Sequence, residues 1–166
     1  MKKEMNNKGF SLVELIIVIA IMAILLVVLA PQYLKYVERS RNSTDLQNAT
    51  EVVTALQVYA ADPEATETMP ATGTFKLQFT RTGNATITEI SGSTFVNAAL
   101  DDAGLLDASG NLATRCQSTQ NWNDYIIEGT SNGSGGIEFT YSQTAAVPTG
   151  AIGFADRMAG QTASGT

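Results

Sequence analysis

Sixteen consecutive residues from Leu15 to Ala30, LIIVIAIMAILLVVLA, carry no polar side chain. Extended back to Phe10, the apolar segment is interrupted only by Ser11 and Glu14. As a helix, 21 residues span roughly 31 Å at ~1.5 Å per residue, about the thickness of a bilayer's hydrocarbon core. Lys2, Lys3 and Lys8 precede the run, against a single acid, Glu4. That bias keeps the N-terminus in the cytoplasm and places the C-terminal globule outside, in a single pass through the cytoplasmic membrane. Beyond about Asp62 the chain is rich in Thr, Ser, Gly, Asn and Ala. A greasy spike is joined to a polar globule.

The remaining composition works mostly by exclusion. With 10 basic and 16 acidic residues the formal charge is −6, so no nucleic-acid partner is expected. The absence of His removes the commonest general base and metal ligand, so neither enzyme chemistry nor a cofactor is expected. One cysteine, Cys116, closes no intrachain disulfide, and with only Arg115 beside it the thiol reads as packed rather than reactive. Gly129-Thr130-Ser131-Asn132-Gly133 matches G-x-S-x-G, but a nucleophile elbow needs a strand–turn–helix setting and a His; the segment reads as a hairpin loop. Asp101, Asp102 and Asp107 offer oxygens to calcium without the spacing of an EF-hand loop. Asn42, Asn48, Asn84 and Asn132 each begin an N-x-[ST] match, as expected by chance in a chain of this composition.

Two ordinary readings of the spike leave something unexplained. A secretory signal peptide would end at Val28-Leu29-Ala30, but Pro31 would follow the cut and Glu14 stands inside the apolar run. A plain membrane anchor gives Glu14 no role. A carboxylate costs about 2.5–3.5 kcal/mol at the centre of a membrane helix and less near its end. Twelve Leu, Ile and Val residues between Leu15 and Leu29 contribute roughly 0.3–0.6 kcal/mol each, so insertion still wins.

The octapeptide Lys8-Gly9-Phe10-Ser11-Leu12-Val13-Glu14-Leu15 resembles the processing motif of the type IV pilin family, and the resemblance extends over about residues 8–36. It implies that a prepilin peptidase cuts between Gly9 and Phe10 and that Phe10 becomes an N-methylated terminus. It also implies that Glu14, fifth in the processed chain, is an assembly residue, and that Pro31 is the family's helix-bending proline. On that resemblance residues 1–9 are a leader, 10–30 the transmembrane and later filament-core helix, 31–61 its amphipathic continuation and 62–166 the globular head. The implied function is a structural subunit of an extracellular pilus serving adhesion, motility or biofilm formation. The implied partners are other copies of the chain, the peptidase, and an assembly platform with its ATPase. Alternatives are a pseudopilin of a secretion or DNA-uptake system, some of which bind calcium in the head, or a monomeric membrane-anchored surface domain. Cleavage would remove Lys2, Lys3, Lys8 and Glu4, taking the side-chain charge from −6 to −8. The new amine of Phe10 would give Glu14 a counter-charge in a neighbouring copy, worth about 4 kcal/mol at ~4 Å and an effective dielectric of ~20 before desolvation. The competing role for Glu14 is to favour its own helix N-terminus, worth up to about 1 kcal/mol.

After Pro31 the sequence to Asp62 holds neither Gly nor Pro, and Leu46, Ala49, Val53, Leu56 and Ala60 recur every three or four residues, widened by Val52 and Tyr59. That spacing predicts one core-facing helical stripe, closed by Asp62-Pro63. Pro31 lacks the N–H that would meet the Val27 carbonyl, which predicts a kink. The polar stretch Glu38–Asp45 reads as a solvated junction. A continuous helix from Phe10 to Ala61 would be roughly 78 Å long at ~1.5 Å per residue, too long for the globule to bury. Alternation predicts strands at Phe75–Phe79 and Ile137–Tyr141, with Asp124–Thr130 and Gly136–Ser142 flanking a long hairpin loop. Ala85–Ile90 is a weaker strand, Ser93–Leu100 a short helix capped by Ser93, Asp107–Gly110 a turn, and Gln161–Thr166 loose. The expected fold is α+β: an antiparallel sheet packed on the second half of the long helix. Many pilins close this region with a disulfide; here Trp122, Tyr125 and Phe154 are expected to hold it by packing.

Overall fold

The computed structural model describes residues 9–89 and 94–163. Helix α1 runs Leu12–Ala61 with Pro31 inside it, starting two residues later than the apolar pattern because Ser11 and Glu14 form its first turn. Strands β1 (Thr74–Thr80) and β2 (Thr86–Glu89) follow, then α2 (Phe95–Asp102), β3 (Asp124–Ser131), β4 (Ile137–Ser142) and α3 (Phe154–Ala163). The chain divides into two compact units, with the boundary between Val37 and Glu38.

In the second unit the sheet order is β2-β1-β3-β4 and every pairing is antiparallel. Phe75, Leu77 and Phe79 point inward from β1 while Lys76, Gln78 and Thr80 are half exposed, as period-2 alternation demands. The inward side chains pack on the α1 stripe of Leu46, Ala49, Val52, Val53, Leu56 and Tyr59. Register places Phe75 opposite Gly129 and Phe79 opposite Tyr125. Tyr125 lies between two rings, stacked on Phe79 and on Phe154 with centroids 4.5 Å apart in each case. Trp122 meets the Phe154 ring edge-on at 5.6 Å, so the three aromatics expected to hold the head lie together in its core.

Three expectations need correction. Glu38, Asn42 and Asp45 are buried, not solvated; they continue the stripe of Leu46 toward the N-terminus, and the Cys116–Trp122 segment bonds to Glu38 and Asp45. Helix α2 begins after Thr94, which makes no side-chain cap bond, and the proposed cap Ser93 lies outside the described residues, as does Ile90 of the weaker strand. Of the segment Gln161–Thr166 expected to be loose, residues 161–163 are helical and 164–166 lie outside the described residues; Phe154 and Met158, one turn apart, are both buried and anchor α3.

Candidate assembly segment

Helix α1 begins where the sequence supplies a cap. The Ser11 backbone N–H donates to Glu14 Oε2 at 3.1 Å, and the Leu15 N–H reaches the Ser11 carbonyl at 3.3 Å. Serine followed three residues later by glutamate is the capping-box spacing, and this is its reverse arm, from the N3 carboxylate to the N-cap amide. In the single chain, then, Glu14 serves its own helix N-terminus. The structure brings Glu14 and Ser11 together and leaves Gly9 and Phe10 exposed, Phe10 at 86%.

From Leu12 to Leu29 every large apolar side chain is about half exposed or more. The apolar window of this helix has a mean hydropathy of 3.3, and none of it is buried. Length and composition suit a bilayer crossing. At ~25 cal/mol per Å² of apolar surface, an uncovered segment of this size is far outside what a solvated monomer tolerates.

The head supplies a site that the sequence pattern did not reveal. Glu38 Oε1 accepts the Ser118 hydroxyl at 2.6 Å and the backbone N–H groups of Thr119 and Gln120 at 2.8 Å each, while Oε2 accepts the Thr119 hydroxyl at 2.9 Å. Arg41 stands 3.6 Å from Oε2. Burial works against the Glu38 anion, but the bonds from Ser118, Gln120 and Thr119 outweigh it and bring its carboxyl down to about 2. Two turns on, Asp45 accepts the Gln117 and Ser118 N–H groups at 2.7 and 2.9 Å and the Trp122 indole N–H at 2.8 Å. The Cys116 thiol also points at it, 3.5 Å away. Desolvation dominates here and raises the Asp45 carboxyl above its ordinary value despite the bonds from Ser118, Gln117 and Trp122. The same burial, with Asp45 alongside, pushes the Cys116 thiol far up, which makes it inert. Two signals were available: acids on the helical stripe of Leu46, and a lone Trp whose N–H needs an acceptor once buried.

Other marked residues carry less. Asp107 Oδ1 is committed to the N–H groups of Ser109 and Asn111, closing the expected turn. Among the described residues no three His, Cys, Asp or Glu side chains are grouped to hold a metal. Gly129, Thr130 and Ser131 of the G-x-S-x-G match are the last residues of β3, so only Asn132 and Gly133 lie in the β3–β4 loop.

Residues 5–30 match the prokaryotic N-terminal methylation motif. The chain is 40% identical over 56 residues to a type IV major fimbrial protein FimA of Dichelobacter nodosus, covering 34% of this chain and 36% of that protein. A second FimA from the same organism is 39% identical over an equal stretch. The chain thus spans about a third of the length of the curated relatives it matches. No solved structure matches it. The N-terminal third of this chain is thus similar to that of type IV major fimbrial proteins and carries the N-terminal methylation motif on a long apolar helix.

Proposed function

We propose that this chain is the precursor of a structural subunit of an extracellular type IV pilus. The observation that carries the reading is an uncovered apolar helix in a chain whose head is already packed. The head's own core needs nothing from residues 12–30, so only lipid or further copies of the chain remain to cover them.

In this reading a prepilin peptidase cuts between Gly9 and Phe10, Phe10 is N-methylated, and the helix waits in the cytoplasmic membrane with its N-terminus inside. An assembly platform and its ATPase then transfer it to a growing filament, where helices exchange lipid for one another and apolar burial is nearly conserved. That exchange supplies little net energy and no register, because greasy helices slide freely. Register comes from charge. The Phe10 amine and Glu14 are ionised groups in an apolar environment, and Glu14 gives up its bond to the Ser11 N–H, or shares it, to meet the amine of a neighbour. An isolated surface-type ion pair is worth under about 1 kcal/mol, whereas one shielded from water approaches the ~4 kcal/mol scale before desolvation. Pro31 withdraws the donor for the Val27 carbonyl and lets the helix bend between its two halves.

The test is Glu14→Ala and Glu14→Gln in the full chain. Both variants are expected to be cleaved and to reach the membrane, yet to yield few filaments. Wild-type filament yield from Glu14→Ala would remove the charge-register role.

A further inference from the structure

The loop joining β3 to β4 is organised around one side chain. Asn132 Oδ1 accepts the backbone N–H of Ser134 at 2.9 Å and that of Gly136 at 3.0 Å. The Asn132 N–H in turn donates to the Gly136 carbonyl at 3.0 Å. The bond from Ser134 closes an Asx turn, and the ring so formed contains both Asn132 Cγ and the Gly133 nitrogen. That nitrogen's N–H donates to Ser131 Oγ at 3.3 Å. Gly133, at φ +76°, carries no side chain to shield its nitrogen, and Asn132 and Gly133 are exposed. A Cβ on Gly136 would stand 2.5 Å from Asn132 Nδ2, so the amide nitrogen lies against bare backbone.

This arrangement has the parts of an acyl-transfer site. Two N–H donors on one carbonyl oxygen polarise it and stand ready for the charge that develops there, as in an oxyanion hole. The adjacent nitrogen is held in the same ring, which removes most of the cost of bringing nucleophile and carbonyl together. Its proton already has an acceptor in the Ser131 hydroxyl. Without a His the G-x-S-x-G match builds no nucleophilic serine, but it leaves Ser131 beside the nitrogen that must lose a proton.

We propose that Asn132 is a self-modification site, converted through a cyclic imide to an aspartyl or isoaspartyl residue. The Gly133 nitrogen forms a bond to Asn132 Cγ, and the electron pair displaced onto Oδ1 is held by the N–H groups of Ser134 and Gly136. The proton leaving Gly133 passes by way of Ser131 Oγ to Nδ2. The Cγ–Nδ2 bond then breaks and ammonia departs. Water opens the imide at either carbonyl, which completes the balance with no oxidant or reductant. The hairpin gains one negative charge, on a chain already at −6. The proposal is independent of how the chain assembles.

The experiment uses the full chain in detergent, incubated in mildly alkaline heavy-oxygen water beside the same chain unfolded in urea. Peptide mapping by mass spectrometry reads oxygen incorporation at residue 132. The folded chain is expected to convert at least about tenfold faster than the unfolded one, a modest share of what one oxyanion donor contributes in an enzyme. Ser131→Ala, at the half-buried end of β3, and Gly136→Ala, in the half-buried last position of the β3–β4 loop, should each slow the folded rate several-fold and leave the unfolded rate unchanged. A folded rate no faster than the unfolded rate overturns the proposal. So does a folded rate that neither substitution alters.

Discussion

The indole N–H of Trp122 donates to Asp45 Oδ2 across 2.8 Å, joining residues 77 positions apart in sequence. Both groups are buried, Asp45 completely. The same carboxylate gathers the N–H groups of Gln117 and Ser118, so one helical side chain organises the start of the segment that leads into β3. A buried carboxylate is tolerated only when its lone pairs are filled, and here four donors fill them. Trp122→Phe keeps a ring against Phe154 but removes one donor. It should cost about 1–3 kcal/mol, read as a lowered denaturation midpoint by circular dichroism. An unchanged midpoint would contradict the role given to this bond.

Glu38 sets the acid response of the head. Its folded carboxyl lies near 2 against 4.5 when unconstrained, so the folded state prefers the anion. That contribution is complete above 4.5 and is lost as the pH falls from there through about 2. A shift of this size corresponds to about 3 kcal/mol at neutral pH. Asp45 acts in the opposite sense, since its folded value is raised and its contribution declines as pH rises from 3.8 through that value. Thermal unfolding of Glu38→Gln across the acid range should show a flatter loss of stability below pH 4.5 than the parent chain. Parallel curves would contradict the assignment.

The Phe75 ring lies over Gly129, its partner in register, so closely that a Cβ there would fall 2.1 Å from Phe75 Cζ. Phe75 is itself buried and cannot swing away. Gly129→Ala should therefore destabilise the head by about 1–3 kcal/mol through overpacking. Combined with Phe75→Leu, the loss should fall short of the two single losses added together. Strict additivity would show that the ring does not hold this position.

Cys116 is buried and bonded to Asp45 through its thiol. Alkylating reagents should leave the native chain untouched and modify it fully once unfolded. Reductant should not move the unfolding midpoint, because no intrachain disulfide is present. Rapid labelling of the native chain would contradict the packing described.

Much of this architecture is legible in local pattern. The alternation of Phe75, Leu77 and Phe79 with polar neighbours marks β1, and the repeating Leu46-to-Tyr59 stripe marks the packed face of α1, because each element's period appears within a few residues. The Glu38–Asp45 clamp was not legible in that way. Its donors, the amides of residues 117–121, lie more than 70 positions away, and a local reading sees only polar side chains and assigns them to water. The spacing of Glu38, Asn42 and Asp45 on the stripe of Leu46 was the available sign. Helix α3 was missed for a related reason: Phe154 and Met158 anchor it by contact with the core, while its own sequence includes Gly160, a poor helix former. In the assembly segment, Glu14 and Phe10 stand out by chemistry, but the Ser11 bond to Glu14 depends on where the first turn begins.

The central claim is that the chain is cut ahead of Phe10 and then polymerises through its uncovered helix. Intact-mass measurement on filaments sheared from the cell surface tests it most directly. The account predicts a mass lacking residues 1–9 and carrying one added methyl group on Phe10. Filaments that lack the protein, with the full-length chain remaining in the membrane as a leader-bearing monomer, would contradict it.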